Sequence, residues 1–161
     1  MIRKILTLAL TFVAGTIVGR FSLPDGAPFS EGVVLAETHA PFVMTRLFTG
    51  PDNETHAEDV ELKFGGTTPI QVSPLMPVTA AELHRNSPGG VSDWHRGPRR
   101  QYVITLSGHG ELEVSGEKKI PVGPGHIELI EDTTGKGHIT RVTGNEDRIT
   151  LQLVLADQAG R

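Results

Sequence analysis

The feature that most limits the fold of this chain is a succession of short β-favouring runs, each closed by turn residues. Valine, isoleucine, threonine and aromatic residues recur in these runs, and glycine, proline, asparagine or serine follows them. No segment between the runs predicts a helix. Roughly eight short strands without helices predict a sandwich or a small barrel. The predicted strands are 60–64, 78–84, 100–106, 111–114, 118–122, 127–130, 138–142 and 149–155, after a short segment at 42–48.

Length and composition agree with a single all-β domain. The chain has 161 residues, enough for one domain, with 19 glycines, 11 prolines and one residue each of tryptophan and tyrosine. The net charge is −4 and the basic residues are scattered. We therefore expect no nucleic-acid partner, which would require a basic stripe. The chain has no cysteine, which excludes disulfides, cysteine-bound zinc and thiol nucleophiles.

Residues 1–23 have the pattern of a signal peptide or a membrane anchor. Arg3 and Lys4 precede an uncharged, largely apolar stretch at 5–19, which Arg20 closes. The stretch is shorter than the ~20 apolar residues of a typical span. The nearest acceptable cleavage triplet, at 34–36, lies far downstream, so cleavage and anchoring both stay open. Either way, we expect the linker at 24–40 and the domain at 41–161 outside the cytoplasm. The protein is then secreted or periplasmic, or it touches the membrane only through its N-terminal segment.

Glycines spaced around one histidine make the stretch 89–108 specific. Gly89 is followed after five residues by His95, after one by Gly97, after three by Gln101 and after six by Gly108. This spacing resembles the first motif of the cupins, in which two histidines and a glutamate stand between the glycines. Both glycines and the first histidine are in register. Gly97 replaces the second histidine, and Gln101 replaces the glutamate.

A second histidine, His138, stands after Gly135 and two further residues. This resembles the end of the second cupin motif, with Thr133 in place of its proline and Val142 in place of its asparagine. The two stretches make the chain similar to small single-domain cupins of the RmlC-like superfamily over about residues 78–155. The resemblance implies a double-stranded β-helix jelly roll, that is, a small antiparallel β-barrel after an apolar leader helix.

The resemblance also implies where the motif side chains point. Alternate residues of a strand face the same way, so His95 and Gly97 are expected to share a face. In cupins this face lines the barrel interior, and His138 on a later strand then converges on His95. Two imidazoles and the amide oxygen of Gln101 facing one cavity could hold a divalent metal, with iron, nickel, manganese, copper and zinc as the candidates.

The metal prediction has an alternative, because the full cupin ligand set is three histidines and a glutamate. The two replacements weaken metal binding, and His95 and His138 would then be hydrogen-bonding residues of a pocket. Two residues could supply a substitute ligand. Asp93 reproduces the two-residue step to His95, and His84 lies on the preceding predicted strand.

Asp93, Trp94 and Arg99 are the candidate ligand-binding residues beside the motif. Trp94, directly before His95, is predicted either to cap the pocket and stack on a ligand or to plug one end of the barrel. Arg99 shares the odd-numbered register of Gln101. A guanidinium at this position could pair bidentately with a carboxylate or phosphate, whereas the alternative is a solvated loop arginine.

Three functions fit these residues. The first is an extracytoplasmic module that binds a small polar or anionic molecule. The second is a metal-dependent enzyme of the oxygenase, lyase or isomerase type acting on a small organic acid or a sugar-like substrate. One of Glu131, Asp132 and Lys136, in the loop before His138, could act as acid or base, and the alternative is that they are ordinary polar loop residues. The third is an interaction protein whose domain forms a homodimer. Motifs for a serine nucleophile elbow, a phosphate loop or a dinucleotide site do not occur in the sequence.

Overall fold

The computed structural model describes residues 40–67 and 69–156, so the predicted leader, leader helix and most of the linker lie outside it. The described residues are all-β, as predicted, with one short 3-10 turn at Ser115–Glu117. No helix in them is long and apolar enough to cross a membrane. The strands are β1 (Phe42–Thr49), β2 (Thr55–Leu62), β3 (Val78–Asn86), β4 (Val91–His95), β5 (Gln101–Ser107), β6 (His109–Val114), β7 (Lys118–Val122), β8 (Ile127–Glu131), β9 (His138–Thr143) and β10 (Arg148–Leu155).

The strands form two sheets. The larger sheet has the order β2-β1-β8-β5-β10-β3, and the smaller sheet has the order β4-β9-β6-β7. From β3 onward the chain crosses between the sheets at nearly every connection, and β6 and β7 alone form a hairpin within one sheet. Eight strands in the orders β3-β10-β5-β8 and β4-β9-β6-β7 are the arrangement of a jelly roll. β1 and β2 extend the larger sheet beyond this unit.

The architecture differs from the predicted antiparallel barrel in two respects. β1 runs parallel to β8, because it joins the sheet from outside the jelly roll rather than through a hairpin. The strand pairs of the described residues also leave the two sheets as separate hydrogen-bonded units, so they face each other without closing into a barrel. The edge strands are β2 and β3 in the larger sheet and β4 and β7 in the smaller sheet.

The start of one strand was predicted wrongly, and β4 was not among the predicted strands. Alternation at 60–64 was only the end of β2, which starts at Thr55 and continues a hairpin from β1. β4 ends at His95, so Gly97 lies in the following loop and not on the same strand. The sequence around β4 is polar, and five mostly exposed residues leave no clear apolar alternation to detect.

The core lies between the sheets, with a second apolar cluster on the outer face of the larger sheet. Leu47, Val103 and Ile130 of the larger sheet pack against Leu112 and Val114 of the smaller one. Burial of each such side chain contributes about 1.5–3 kcal/mol. The outer cluster uses the alternate residues of the same strands, because successive side chains point to opposite faces. Its members are Met44, Leu129 and Leu155, with Val60, Tyr102 and Ile127 beside them.

Candidate functional site

His95 and His138 lie directly opposite each other on neighbouring strands. His95 ends β4, His138 begins β9, and the two are paired in the sheet register. Their ring centroids are 4.5 Å apart, and the ring planes are inclined by 52°. Gly137 permits this close approach, because its φ is +82° and a Cβ there would lie 2.1 Å from the carbonyl oxygen of His95. The structure thus brings together the two histidines of the motif resemblance.

Both histidine rings use Nδ1 as a hydrogen-bond donor. Nδ1 of His95 lies 2.8 Å from the backbone oxygen of Asp93, and a carbonyl oxygen can only accept. Nδ1 of His138 lies 2.6 Å from Oδ2 of Asp132, whose carboxylate also accepts. A proton on Nδ1 leaves a lone pair on Nε2 of each neutral ring. Neither Nε2 hydrogen-bonds to another of the described residues.

Asp132 is the buried partner that orients His138. Its side chain is 0% exposed, and its Oδ2 also accepts a hydrogen bond from Thr55 Oγ1 at 3.3 Å. The other oxygen, Oδ1, is buried and has no hydrogen-bond partner among the described residues. A carboxylate behind a histidine is the usual way in which proteins fix the tautomer of a functional imidazole. From the sequence, Asp132 was only one of several polar loop residues. Its contact with Thr55 on β2 spans 77 positions and could not be predicted from local spacing.

A cavity of about 240 Å³ lies beside the histidine pair, and both rings contribute to its wall. Glu128 and Arg148 also line it and are almost fully buried, with Arg148 Nη2 2.5 Å from Glu128 Oε1 and 2.8 Å from Thr105 Oγ1. Burial raises the pKa of Glu128 above its ordinary value, and Arg148 acts in the opposite direction. Sequence analysis did not select this ion pair, because neither residue belongs to a recognisable motif.

His84 lines the same cavity, and both of its ring nitrogens have polar neighbours within the chain. Its Nδ1 accepts a hydrogen bond from Nε2 of Gln152 at 2.8 Å, and its Nε2 lies 3.1 Å from Oε1 of Glu82. The proton of His84 is therefore on Nε2, the opposite assignment to His95 and His138. The three histidines of this wall thus fall into two chemical classes, and only two of them present a lone pair.

Gln101 lines the cavity and is 4% exposed. Its Oε1 accepts a hydrogen bond from Arg99 Nε at 3.3 Å, which leaves the amide NH2 group for other partners. Arg99 lies outside the wall of this cavity and forms an ion pair with Glu82. The cationic partner draws electron density from the amide oxygen that the sequence offered as a third metal ligand.

Asp93 and Trp94 lie at the rim rather than in the cavity wall. Oδ1 of Asp93 accepts a hydrogen bond from the backbone nitrogen of Trp94 at 2.8 Å. The indole is 38% exposed, and Lys136 Nζ lies 4.1 Å from the centre of its ring. Trp94 borders a second, shallower depression that shares His95 with the main cavity. Trp94 thus sits beside the pocket mouth and does not plug the interior.

The position that resembles the second cupin histidine has no room for a side chain. Gly97 is buried, and a Cβ on it would lie 2.4 Å from Cγ2 of Ile130 and 3.3 Å from Oδ1 of Asp132. Within residues 40–67 and 69–156, no group of three or more histidine, aspartate or glutamate side chains is arranged to hold a metal ion. The two imidazoles are suitable metal ligands, but the described residues supply no third histidine or carboxylate to complete such a group.

Comparison with known proteins yields likenesses of fold only. No protein-family model matches the sequence, and no curated protein is significantly similar to it. Three solved structures illustrate the likeness. A conserved protein of unknown function from Streptococcus pyogenes is 16% identical over 48% of this chain, which spans 64% of that protein, with a TM-score of 0.38. A conserved protein with a double-stranded β-helix domain from Klebsiella pneumoniae is 20% identical, with coverages of 54% and 80% and a TM-score of 0.40. A Cupin 2 conserved barrel domain protein from Salinispora arenicola is 16% identical, with coverages of 60% and 76% and a TM-score of 0.41.

The jelly-roll strand order defines the class of this domain. It is a jelly-roll domain, the architecture of the cupins that the sequence motifs resemble. Fold alone does not define activity, because this architecture carries many unrelated functions. The function has to be argued from the histidine pair and its cavity.

Proposed function

We propose that the chain binds a small polar molecule in the cavity beside His95 and His138. The observation that carries this proposal is the shared tautomer of the two rings. Each imidazole donates from Nδ1 to a fixed acceptor, so each keeps the lone pair of Nε2 for a guest. Two such acceptors on directly paired residues favour a ligand that carries hydrogen-bond donors, such as hydroxyl or ammonium groups.

The charges around the cavity support a donor-bearing ligand over an anionic one. Arg148 is already paired with Glu128, and Arg99 is paired with Glu82. An incoming carboxylate would have to compete with these carboxylates for a guanidinium. When the two imidazoles are neutral, it would also face the lone pairs of their Nε2 atoms, which repel an anion. Of the polar and anionic ligands that the sequence suggested, the polar class therefore has the stronger support.

A divalent metal held by His95 and His138 is the second candidate. The observation that favours it is that each ring donates a hydrogen bond from Nδ1 to an oxygen, as the non-ligating nitrogen of a metal-bound histidine usually does. Such an ion would act as a Lewis acid on a bound substrate. This is the chemistry that the alternative function, a metal-dependent enzyme, requires. The described residues orient the two imidazoles, and water or the substrate would have to complete the coordination.

The location outside the cytoplasm is part of the same proposal. It rests on the basic residues and the apolar stretch at the start of the sequence, which have the pattern of an export signal or an anchor. A fusion of the full chain to a reporter that matures only outside the cytoplasm tests this. An active reporter supports export, and an inactive one with normal expression contradicts it.

Trp94 provides a probe for the ligand proposal, because it is the only tryptophan and adjoins His95. The full chain is titrated with neutral sugars and polyols, amino alcohols and small carboxylates, and tryptophan emission and melting temperature are recorded. We expect saturable changes with donor-bearing compounds and weaker ones with carboxylates. The response should be lost in a His95→Ala/His138→Ala variant and kept in His109→Ala, a histidine on an exposed part of β6. Equal responses in all variants, or a response to carboxylates alone, contradict the proposal.

The metal candidate is tested by elemental analysis of protein purified without added metal, followed by loading with zinc or nickel. We expect bound metal in the parent protein and its loss in the His95→Ala/His138→Ala variant. His84→Ala should retain the metal, because Nδ1 of His84 already accepts a hydrogen bond from Gln152 and its Nε2 lies against the carboxylate of Glu82. Equal metal content in the parent and the double variant removes this candidate.

A further inference from the structure

The histidine pair offers hydrogen-bond acceptors to a guest in the cavity, and the amide of Gln101 adds a donor. Gln101 begins β5, and its side chain is almost completely buried in the cavity wall. Arg99 Nε lies 3.3 Å from Oε1 of Gln101. An arginine nitrogen can only donate a hydrogen bond, so the amide directs its oxygen towards Arg99. The NH2 group of Gln101 is therefore the end that is left for the cavity.

This NH2 group donates to no acceptor among the described residues. The amide nitrogen nevertheless remains accessible from the cavity. The fully enclosed polar side-chain atoms that lack a partner in residues 40–67 and 69–156 are His126 Nε2 and Asp132 Oδ1, and it is not one of them. Buried polar groups require a hydrogen-bond partner, and an unsatisfied donor destabilises the state that contains it. A guest that fills the cavity has to present an acceptor to Gln101.

We propose that Gln101 selects a ligand with hydroxyl groups, such as a sugar or a polyol, over one with ammonium groups. This inference rests on the proposed binding of a donor-bearing molecule beside His95 and His138. A hydroxyl group both donates and accepts, so it satisfies Nε2 of an imidazole and the NH2 group of Gln101 together. An ammonium group only donates and leaves the NH2 group without a partner. An ether oxygen only accepts and leaves the imidazole lone pairs without a donor.

The charges of the cavity wall give an ammonium group no compensating attraction. Of the carboxylates in the described residues, Glu128 alone lines the cavity, and Arg148 Nη2 already lies 2.5 Å from its Oε1. Asp132 is not part of the wall and contacts Nδ1 of His138. A cation would therefore leave water for a wall whose charges are already balanced, which is unfavourable. The sense of the hydrogen bonds then decides between the two classes of ligand.

Three probes that share one ring and differ in a single polar group test this selection. They are cyclohexanol, cyclohexylamine and methoxycyclohexane. Their dissociation constants for the full chain are measured at about pH 8, where imidazoles are neutral and alkylamines are protonated. The NMR signals of the histidine rings report binding, and a chelator excludes metal. We expect the alcohol to bind about 10-fold more tightly than the ammonium ion or the ether, because it alone satisfies both kinds of group.

Gln101→Glu is the most informative variant, because it replaces the donating NH2 group by an accepting oxygen and keeps an oxygen for Arg99. We expect the ammonium ion to bind this variant more tightly than the alcohol does. Gln152→Glu is the matched control, because it adds the same charge to the same wall and leaves Gln101 unchanged. It should still prefer the alcohol. Gln101→Met removes the donor without adding a charge, so it should lose the preference for the alcohol over the ammonium ion.

The possible outcomes separate this inference from the proposed function. An ammonium ion that binds the parent as tightly as the alcohol overturns the selection by Gln101 and leaves the binding site standing. An unchanged order of affinities in both Gln101 variants also overturns it. So does an equal reversal in Gln152→Glu, which would show that added charge alone is responsible. If none of the three probes binds the parent, the proposed function fails and this inference fails with it.

Discussion

Nδ1 of His138 lies 2.6 Å from Oδ2 of Asp132, and the two side chains are 5% and 0% exposed. The pair is therefore shielded from water, and the carboxylate decides which ring nitrogen carries the proton. His95, across the strand pair, has the same proton position but donates to a backbone oxygen. Both rings therefore carry the proton on the same nitrogen, although only the tautomer of His138 depends on a side chain that a mutation can replace.

Replacing Asp132 by asparagine should change the tautomer of His138 and leave that of His95 unchanged. An amide can present its NH2 group to Nδ1, which then has to accept, and the proton moves to Nε2. We expect a loss of about 10–100-fold in affinity for any ligand or metal at this pair. Long-range nitrogen NMR of the imidazoles measures the tautomers directly. An unchanged His138 pattern in Asp132→Asn would show that the carboxylate does not set it.

Gly97 should tolerate no side chain. A Cβ at this position would lie 2.4 Å from Cγ2 of Ile130, and overpacking of this kind costs about 1–3 kcal/mol. Urea unfolding of Gly97→Ala should show that loss in the free energy of unfolding. Gly65→Ala is the matched control, because no atom lies within 4 Å of its added Cβ. Similar effects of the two substitutions would contradict the steric argument.

Glu131 should contribute to stability above its ordinary pKa of 4.5 and lose this contribution in acid. Burial alone would raise its pKa, but hydrogen bonds from Arg46 and Arg100 outweigh it, so the pKa in the folded protein is lowered. The folded state then holds the ionised form more strongly than the unfolded state does. The stabilising contribution of Glu131 is fully present above its pKa in the unfolded state. It declines as the pH falls through its lower pKa in the folded state.

Urea unfolding between about pH 7 and about pH 3 tests this dependence. Glu131→Gln should be less stable than the parent near neutral pH and should show a shallower loss in acid. Glu146→Gln, in an exposed turn before β10, should follow the parent curve. If the curves of Glu131→Gln and the parent run parallel over the whole range, the ion pairs with Arg46 and Arg100 do not contribute.

The buried pair of Glu128 and Arg148 should be strongly coupled. Removal of one partner leaves an uncompensated buried charge, which costs about 3–5 kcal/mol, whereas replacement of both by apolar residues costs much less. We therefore expect Glu128→Leu and Arg148→Met each to lower the free energy of unfolding more than Glu128→Leu/Arg148→Met does. Thermal and urea unfolding give the free energy of unfolding of the parent, the two single variants and the double variant. A double variant that loses the sum of the two single losses would show that the groups act independently.

The sequence alone determined the elements whose signals are local. Alternation of β-favouring residues and turn glycines placed most strands, and motif spacing selected His95, Gln101 and His138. All three line one cavity. Local spacing carries this information because side chains alternate along a strand and turns require particular residues. The metal ligated by these residues stays a prediction, as do the leader and the location.

Only the tertiary structure decided the chemical state of the histidine pair. The Asp132 loop meets Thr55 across 77 positions, and Arg148 meets Glu128 across 20. Neither contact is indicated by a periodic pattern in the sequence. The proton position on His84 depends on Gln152, 68 positions away, and that on His138 depends on the buried Asp132, because hydrogen-bond partners and not residue type choose the tautomer. The sequence therefore indicated which histidines meet, and the folded chain determined which of their nitrogens can bind.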